Sequence, residues 1–214
     1  MNVPIESSSP ATTRAVEKIT AAVRQLLSKH TPRLLIALDG PSGSGKSTLA
    51  EMAAQALDAT VVASDDFFAG EITDDEWGKR LPSERAASAL DWRRLRIEAL
   101  EPLLAGKSAQ WHAFDFEAGT RDDGTYSLRA DFTKRYPATV IILDGAYSTR
   151  PELADLIDLT VLVDAPAEIR RHRLAIREAP AFLEAWHKCW DAAEIHYFTQ
   201  VRPPSSFDLV VSTA

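Results

Sequence analysis

The segment Gly40-Pro41-Ser42-Gly43-Ser44-Gly45-Lys46-Ser47 carries the spacing G-x-x-x-x-G-K-[ST]. Each residue type in it suits the holding of phosphate. Glycines let successive backbone N–H groups turn toward an anion without Cβ clashes. Lys46 is placed to reach β- and γ-phosphates, and the Ser47 hydroxyl suits Mg²⁺. Gly40, Ser42, Gly43, Ser44, Gly45, Lys46, Ser47 and Thr48 are therefore the candidate nucleotide-binding residues. The context agrees. Leu34-Leu35-Ile36-Ala37-Leu38 reads as a buried strand, and Ser47 to Leu57 reads as a helix whose N-terminus favours an anion.

Carboxylates stand where they could complete phosphoryl transfer. A short strand near Thr60 to Ala63 ends at Ser64-Asp65-Asp66, and the apolar run Val140 to Leu143 ends at Asp144-Gly145. Ligands of open α/β sheets bind at the carboxyl ends of strands, so parallel strands would gather these groups at one edge. Asp65 is the expected general base. Asp66 is its rival, because adjacent residues at a strand end point oppositely. Asp144 is expected to assist Ser47 in holding Mg²⁺. Arg170, Arg173 and Arg177 recur at i, i+3 and i+7, with Arg171 beside them. Such a face suits a helical lid whose Arg170 and Arg173 close over a transferring phosphoryl group. Phe67, Phe68, Phe114 and Phe116 could wall an acceptor pocket.

The remaining pattern describes what must position these groups. The 214 residues are 45% hydrophobic and 26% charged, enough for one α/β domain with a sizeable core. A loose start over residues 1–10 precedes a helix from about Ala11 to Lys29. The division expected is a helical extension over 1–32 and one domain over 33–214, with a lid at about 166–180. No clean period is visible from about Phe67 to Ala87, which reads as a loop. Asp91 reads as the N-cap of a helix running to Leu104, with Pro102 kinking or restarting it. Gln110 to Phe116 reads as a strand, and residues 125–137 give a weak signal. Leu159 to Asp164 and Phe207 to Val211 are further strands. A long helical region covers Ala167 to Thr199, broken at Pro180, with Trp186 and Trp190 in the core. Continuously apolar strands alternating with helices indicate a parallel sheet covered on both faces.

A net charge of −7 argues against a nucleic-acid partner, and no 18-residue apolar run marks a membrane span. One cysteine, Cys189, excludes an internal disulfide and points to a reducing, cytoplasmic setting. The partner expected is a small-molecule acceptor, with oligomeric state open and a homodimer among the options.

Taken together these residues resemble the uridine kinase and phosphoribulokinase group of P-loop kinases, over about Leu34 to Arg177. Ser64-Asp65-Asp66-Phe67-Phe68 is similar to that group's catalytic aspartate segment, and the match gives the base role to Asp65. Leu90-Asp91-Trp92 resembles the start of its acceptor-side helix. Phe114-Asp115-Phe116 with Arg121 resembles its Tyr-Asp-Phe segment, which makes Asp66, Phe67, Phe114, Asp115 and Arg121 the acceptor-side candidates. The resemblance implies a P-loop NTPase fold with a helical lid, ATP and Mg²⁺ as cofactors, and transfer to a hydroxyl. The chain departs from the group at Gly119, where a base-reading histidine belongs, at Ala86-Ala87-Ser88, and at Glu178-Ala179-Pro180. A regulatory nucleotide hydrolase and a nucleotide monophosphate kinase are the alternative readings.

Overall fold

The fold is built on β1, Leu34–Asp39, whose residues are buried without exception. A strand of that kind must lie inside a sheet covered on both faces. The structure is a computed structural model that describes residues 9–29 and 32–214. The loose start expected for residues 1–10 lies, over 1–8, outside the described residues, as does the side chain of Trp186.

Five strands run parallel in the order β2-β5-β1-β6-β7, with β2 at Thr60–Ala63, β5 at Val140–Asp144, β6 at Leu159–Asp164 and β7 at Leu209–Ser212. Side chains alternate across the sheet. Leu34, Ile36 and Leu38 of β1 face α1 (Pro10–Leu27) and α2 (Lys46–Leu57), with Ile19 and Val23 of α1 in the same cluster. Leu35 and Ala37 face the opposite side, against Leu95, Ala99, Leu100, Leu103 and Trp111. Those leucines belong to a helical run made of α5 (Trp92–Arg94), a π-helical stretch Leu95–Leu100, and α6 (Glu101–Leu104). Asp91 caps its start by accepting from Arg94 N at 3.0 Å. Pro102 has no N–H to give and its ring crowds the turn before it, which accounts for the widened stretch preceding α6.

One expectation is corrected. The segment read as a loop contains a 3₁₀ turn at Ser64–Phe67, α3 at Asp74–Lys79 and α4 at Pro82–Ser88. Thr73 and Glu76 form a reciprocal capping box that starts α3, and Trp77 is buried beneath it. The strand read at 110–116 is β3, Ala109–Phe114. It pairs antiparallel with β4, Leu128–Arg135, as a separate two-stranded sheet. Most of β4 is exposed, so it has no apolar alternation to read. α7 covers Ala167–Arg177 and α8 covers Pro180–His196, with the break at Pro180 as expected. Among the described residues no helix is long and apolar enough to cross a membrane.

One buried carboxylate ties three of these elements together. Asp39, fully buried at the end of β1, accepts from Gly40 N at 2.8 Å, Tyr147 N at 2.9 Å, Thr149 N at 2.9 Å, Thr149 Oγ1 at 2.7 Å and the Tyr197 hydroxyl at 2.9 Å. Burial raises its pKa, and the Thr149 hydrogen bonds and Lys46 pull it back. Asp39→Asn turns an NH₂ toward this ring of donors and strands at least one of them. The expected loss is about 2–3 kcal/mol in chemical denaturation; unchanged stability would contradict the account.

Candidate active site

The phosphate loop follows β1 and ends at Gly45, which caps α2 in the left-handed region at φ 90°. Lys46, Ser47 and Thr48 form the first turn of α2, where N–H groups lack helical partners and point out of the helix start. Ser47 and Thr48 are exposed there, whereas Ser44 is buried and its hydroxyl has no partner. Lys46 is nearly buried and folds over the loop, donating from Nζ to Gly40 O at 2.7 Å and Pro41 O at 3.1 Å. Gly43, at φ +77°, lies against α7: a Cβ there would meet Arg170 O at 2.7 Å.

Pairing of β2 with β5 and of β5 with β1 brings the three strand ends side by side, with Ala63 opposite Asp144 and Leu38 opposite Asp144. Asp144 is buried and its Oδ1 has no hydrogen-bond partner. Burial pushes its pKa up to about 6, with Lys46 and the Ser47 hydroxyl opposing the rise and Asp65 adding to it. Asp65 is also shifted upward, chiefly because protein atoms crowd it, while Lys46 pulls it down and Asp66 pushes it up. Asp65 is itself exposed to solvent.

The adjacent acids separate as their strand-end position predicts. Asp65 belongs to the cluster with Lys46 and Asp144, whereas Asp66 turns away and accepts from Trp111 Nε1 at 2.7 Å. Gly145 makes the cluster possible. At φ +142° it lies so close to β2 that a Cβ would stand 1.9 Å from Ser64 Oγ and 3.2 Å from Asp65 Oδ1.

The arginine face meets the phosphate loop. Arg170 donates to Ser42 O at 3.3 Å and Ala165 O at 3.2 Å. Arg173 donates to Gly43 O at 3.2 Å and to Thr213 Oγ1 and O at 2.9 and 3.1 Å. Both brace the loop's backbone. Arg177, one turn further, is the arginine whose charge reaches Asp65, and it pairs with Glu178 at 2.6 Å on the exposed side.

The acceptor-side residues are also redistributed. Phe67 is fully buried between Trp111, at a ring distance of 5.3 Å, and the Arg94 guanidinium at 4.8 Å, so it offers no surface to a ligand. Phe68 takes that place, with Phe114 at 5.1 Å and Trp190 at 5.5 Å. Asp115 and Arg121 sit on the β3–β4 connection. Asp115 accepts from Glu117 N and Ala118 N at 3.0 and 3.2 Å, and Arg121 donates to Ser127 Oγ at 3.2 Å. Sequence reasoning missed Asp39, Tyr147 and Glu194. Asp39 had a signal, a charge ending an otherwise apolar strand. Tyr147 and Glu194 had none, since only tertiary packing brings them to the loop.

Two substitutions test this geometry. Gly145→Ala should destabilise the fold by roughly 2–4 kcal/mol through overpacking and backbone strain, measured by denaturant unfolding; a loss under about 0.5 kcal/mol would contradict the close approach. Asp144 has a raised folded pKa, so its ionisation opposes folding as pH rises from the ordinary carboxylate range through about 6. Asp144→Asn should therefore stabilise the nucleotide-free protein at pH 8 by about 3 kcal/mol, with the gain vanishing below pH ~4. Melting curves across that range check it, and a gain that grows toward low pH would refute it.

No curated protein matches this chain. Among solved structures it is similar to a possible uridine kinase from Bacillus stearothermophilus, at 21% identity and a TM-score of 0.69, over 94% of this chain and 98% of that one. It is also similar to a proposed fructose transport system kinase from Silicibacter sp. TM1040, at 24% identity and a TM-score of 0.60, over 90% and 98%. The fold is thus that of the P-loop kinases. A family model described as AAA domain matches residues 35–193, and the chain belongs to that family, AAA_33.

Proposed function

We propose that this protein is an ATP-dependent phosphotransferase that moves a γ-phosphoryl group to a hydroxyl of a small molecule. The observation that carries this reading is Asp65, a solvent-reached carboxylate held with Lys46 and Asp144 at the end of the phosphate loop. A nucleotide switch needs no acceptor base beside its lysine. The backbone N–H groups from Gly43 to Thr48 hold the phosphates. Lys46 leaves Gly40 O and Pro41 O for phosphate oxygens. Arg177 is the cation best placed to steady charge on the transferring group.

The unpartnered Oδ1 of Asp144 and the exposed Ser47 hydroxyl suit a hard cation with oxygen ligands. Asp144 and Ser47 are the residues that would hold Mg²⁺, which when bound neutralises charge on the β- and γ-oxygens. Asp65 accepts the acceptor's hydroxyl proton, and its upward-shifted pKa makes it a stronger base than an ordinary aspartate. Asp66, held by Trp111 Nε1, adds to the rise of Asp65's pKa through its charge. The single Cys189 supports a cytoplasmic setting.

Asp65→Asn should keep ATP binding within a few-fold and lower acceptor-dependent ADP release by roughly 10²–10⁴-fold. Near-normal turnover by the variant would remove Asp65 from the base role.

A further inference from the structure

One buried acid has no part in the chemistry above. Glu194 lies on the inner face of α8, 7% exposed, and accepts from Ser42 N at 3.1 and 3.2 Å and from Ser42 Oγ. Among the described residues it forms no salt bridge. A carboxylate removed from water without a cation is costly, and buried charges are ordinarily paired.

Its place relative to the transferring group follows from the loop. The Lys46 ammonium, which serves β- and γ-phosphates, lies over Gly40 and Pro41. The γ-phosphate end of the cradle is therefore the Gly40–Ser42 end, and Glu194 stands there. Trp190, Ala193 and Glu194 of α8, with Tyr197 in the helical turn that follows it, lie along one helical face. That face packs with Tyr147, Ala69 and Phe68. Tyr147 is 5% exposed, its hydroxyl has no partner, and its backbone is held at φ 64° just past Asp144-Gly145. A non-glycine residue in that region is strained, and such strain clusters at ligand sites. The hydroxyl lies in the field of both Glu194 and Asp65.

We propose that Glu194, the Tyr147 hydroxyl and the Phe68 ring form the acceptor seat, and that its substrate is an alcohol bearing an ammonium group. The proposal rests on the kinase reading above. The acceptor's ammonium pairs with Glu194 and meets the aromatic ring, a combination suited to organic cations. Its hydroxyl gives a proton to Asp65, its oxygen bonds to the γ-phosphorus, and the bond from that phosphorus to the β,γ-bridging oxygen breaks to leave ADP. α8 packs over the seat through Trp190 and Ala193. Two arginines around this face are engaged by other acceptors. Arg85 is spent on the carbonyls of Trp77, Gly78 and Cys189, and Arg150 on Glu152 and the carbonyls of Ala87 and Leu90.

The test is coupled ADP release with probes matched on one carbon frame: glucosamine, glucose and glucose 1-phosphate, then streptamine, myo-inositol and myo-inositol 1-phosphate. Wild-type protein should favour the ammonium member of a set. Glu194→Gln keeps an acceptor for Ser42 while removing the charge. It should lower kcat/KM for the ammonium probe at least tenfold, mainly through KM, and change the neutral probe less than threefold. Preference for the phosphate or neutral member, or an equal loss on both probes, overturns the charged seat and leaves the kinase reading standing. ATP hydrolysis that no probe stimulates overturns the kinase reading, and the seat with it.

Discussion

The carboxylate of Asp39 is the constraint on which the site depends. It ends the central strand inside the protein, where an ionised group is tolerable only if its lone pairs are filled. Five hydrogen bonds fill them, from the first loop residue, from the chain after β5 and from the end of α8. The loop, the segment following Asp144 and the helix over the loop are thereby fixed to one point. Arg170, Arg173 and Thr213 secure the loop's other flank through its carbonyl groups. The loop is held by its carbonyls and its root, which leaves the N–H groups of its helical end free for an anion.

On that frame the chemistry is set by charge. Asp65 and Asp144 share the lysine, and the charge of Asp65 adds to the rise of Asp144's pKa. A cation between them would relieve that crowding. Gly145 sets the spacing, because only a residue without Cβ lets the turn after β5 lie against Ser64 and Asp65.

What the sequence made legible was what local rules encode. β1, β5 and β6 were readable because burial on both faces leaves uninterrupted apolar runs. The phosphate loop was readable because its spacing is chemistry. Asp65 and Asp66 were readable as a pair, and only the Trp111 hydrogen bond tells which faces the loop. α3 and α4 were missed because they are short and polar, although the Thr73 and Glu76 capping box marked the first. β4 was missed because an exposed strand carries no alternation. The roles of Arg170, Arg173 and Arg177 could not be apportioned from helical spacing, since it puts all three on one face and the docking of α7 decides which rung meets the loop. Glu194 and Tyr147 reach the site only through the third dimension.

The central claim is that the cluster of Lys46, Asp65 and Asp144 transfers phosphoryl to an alcohol rather than to water. Phosphorus NMR of the full chain with ATP, Mg²⁺ and hydroxyl compounds reads the fate of the γ-phosphorus directly. The account predicts a phosphomonoester resonance that grows in step with ADP. Conversion of the γ-phosphoryl entirely to inorganic phosphate, whatever alcohol is present, would contradict it.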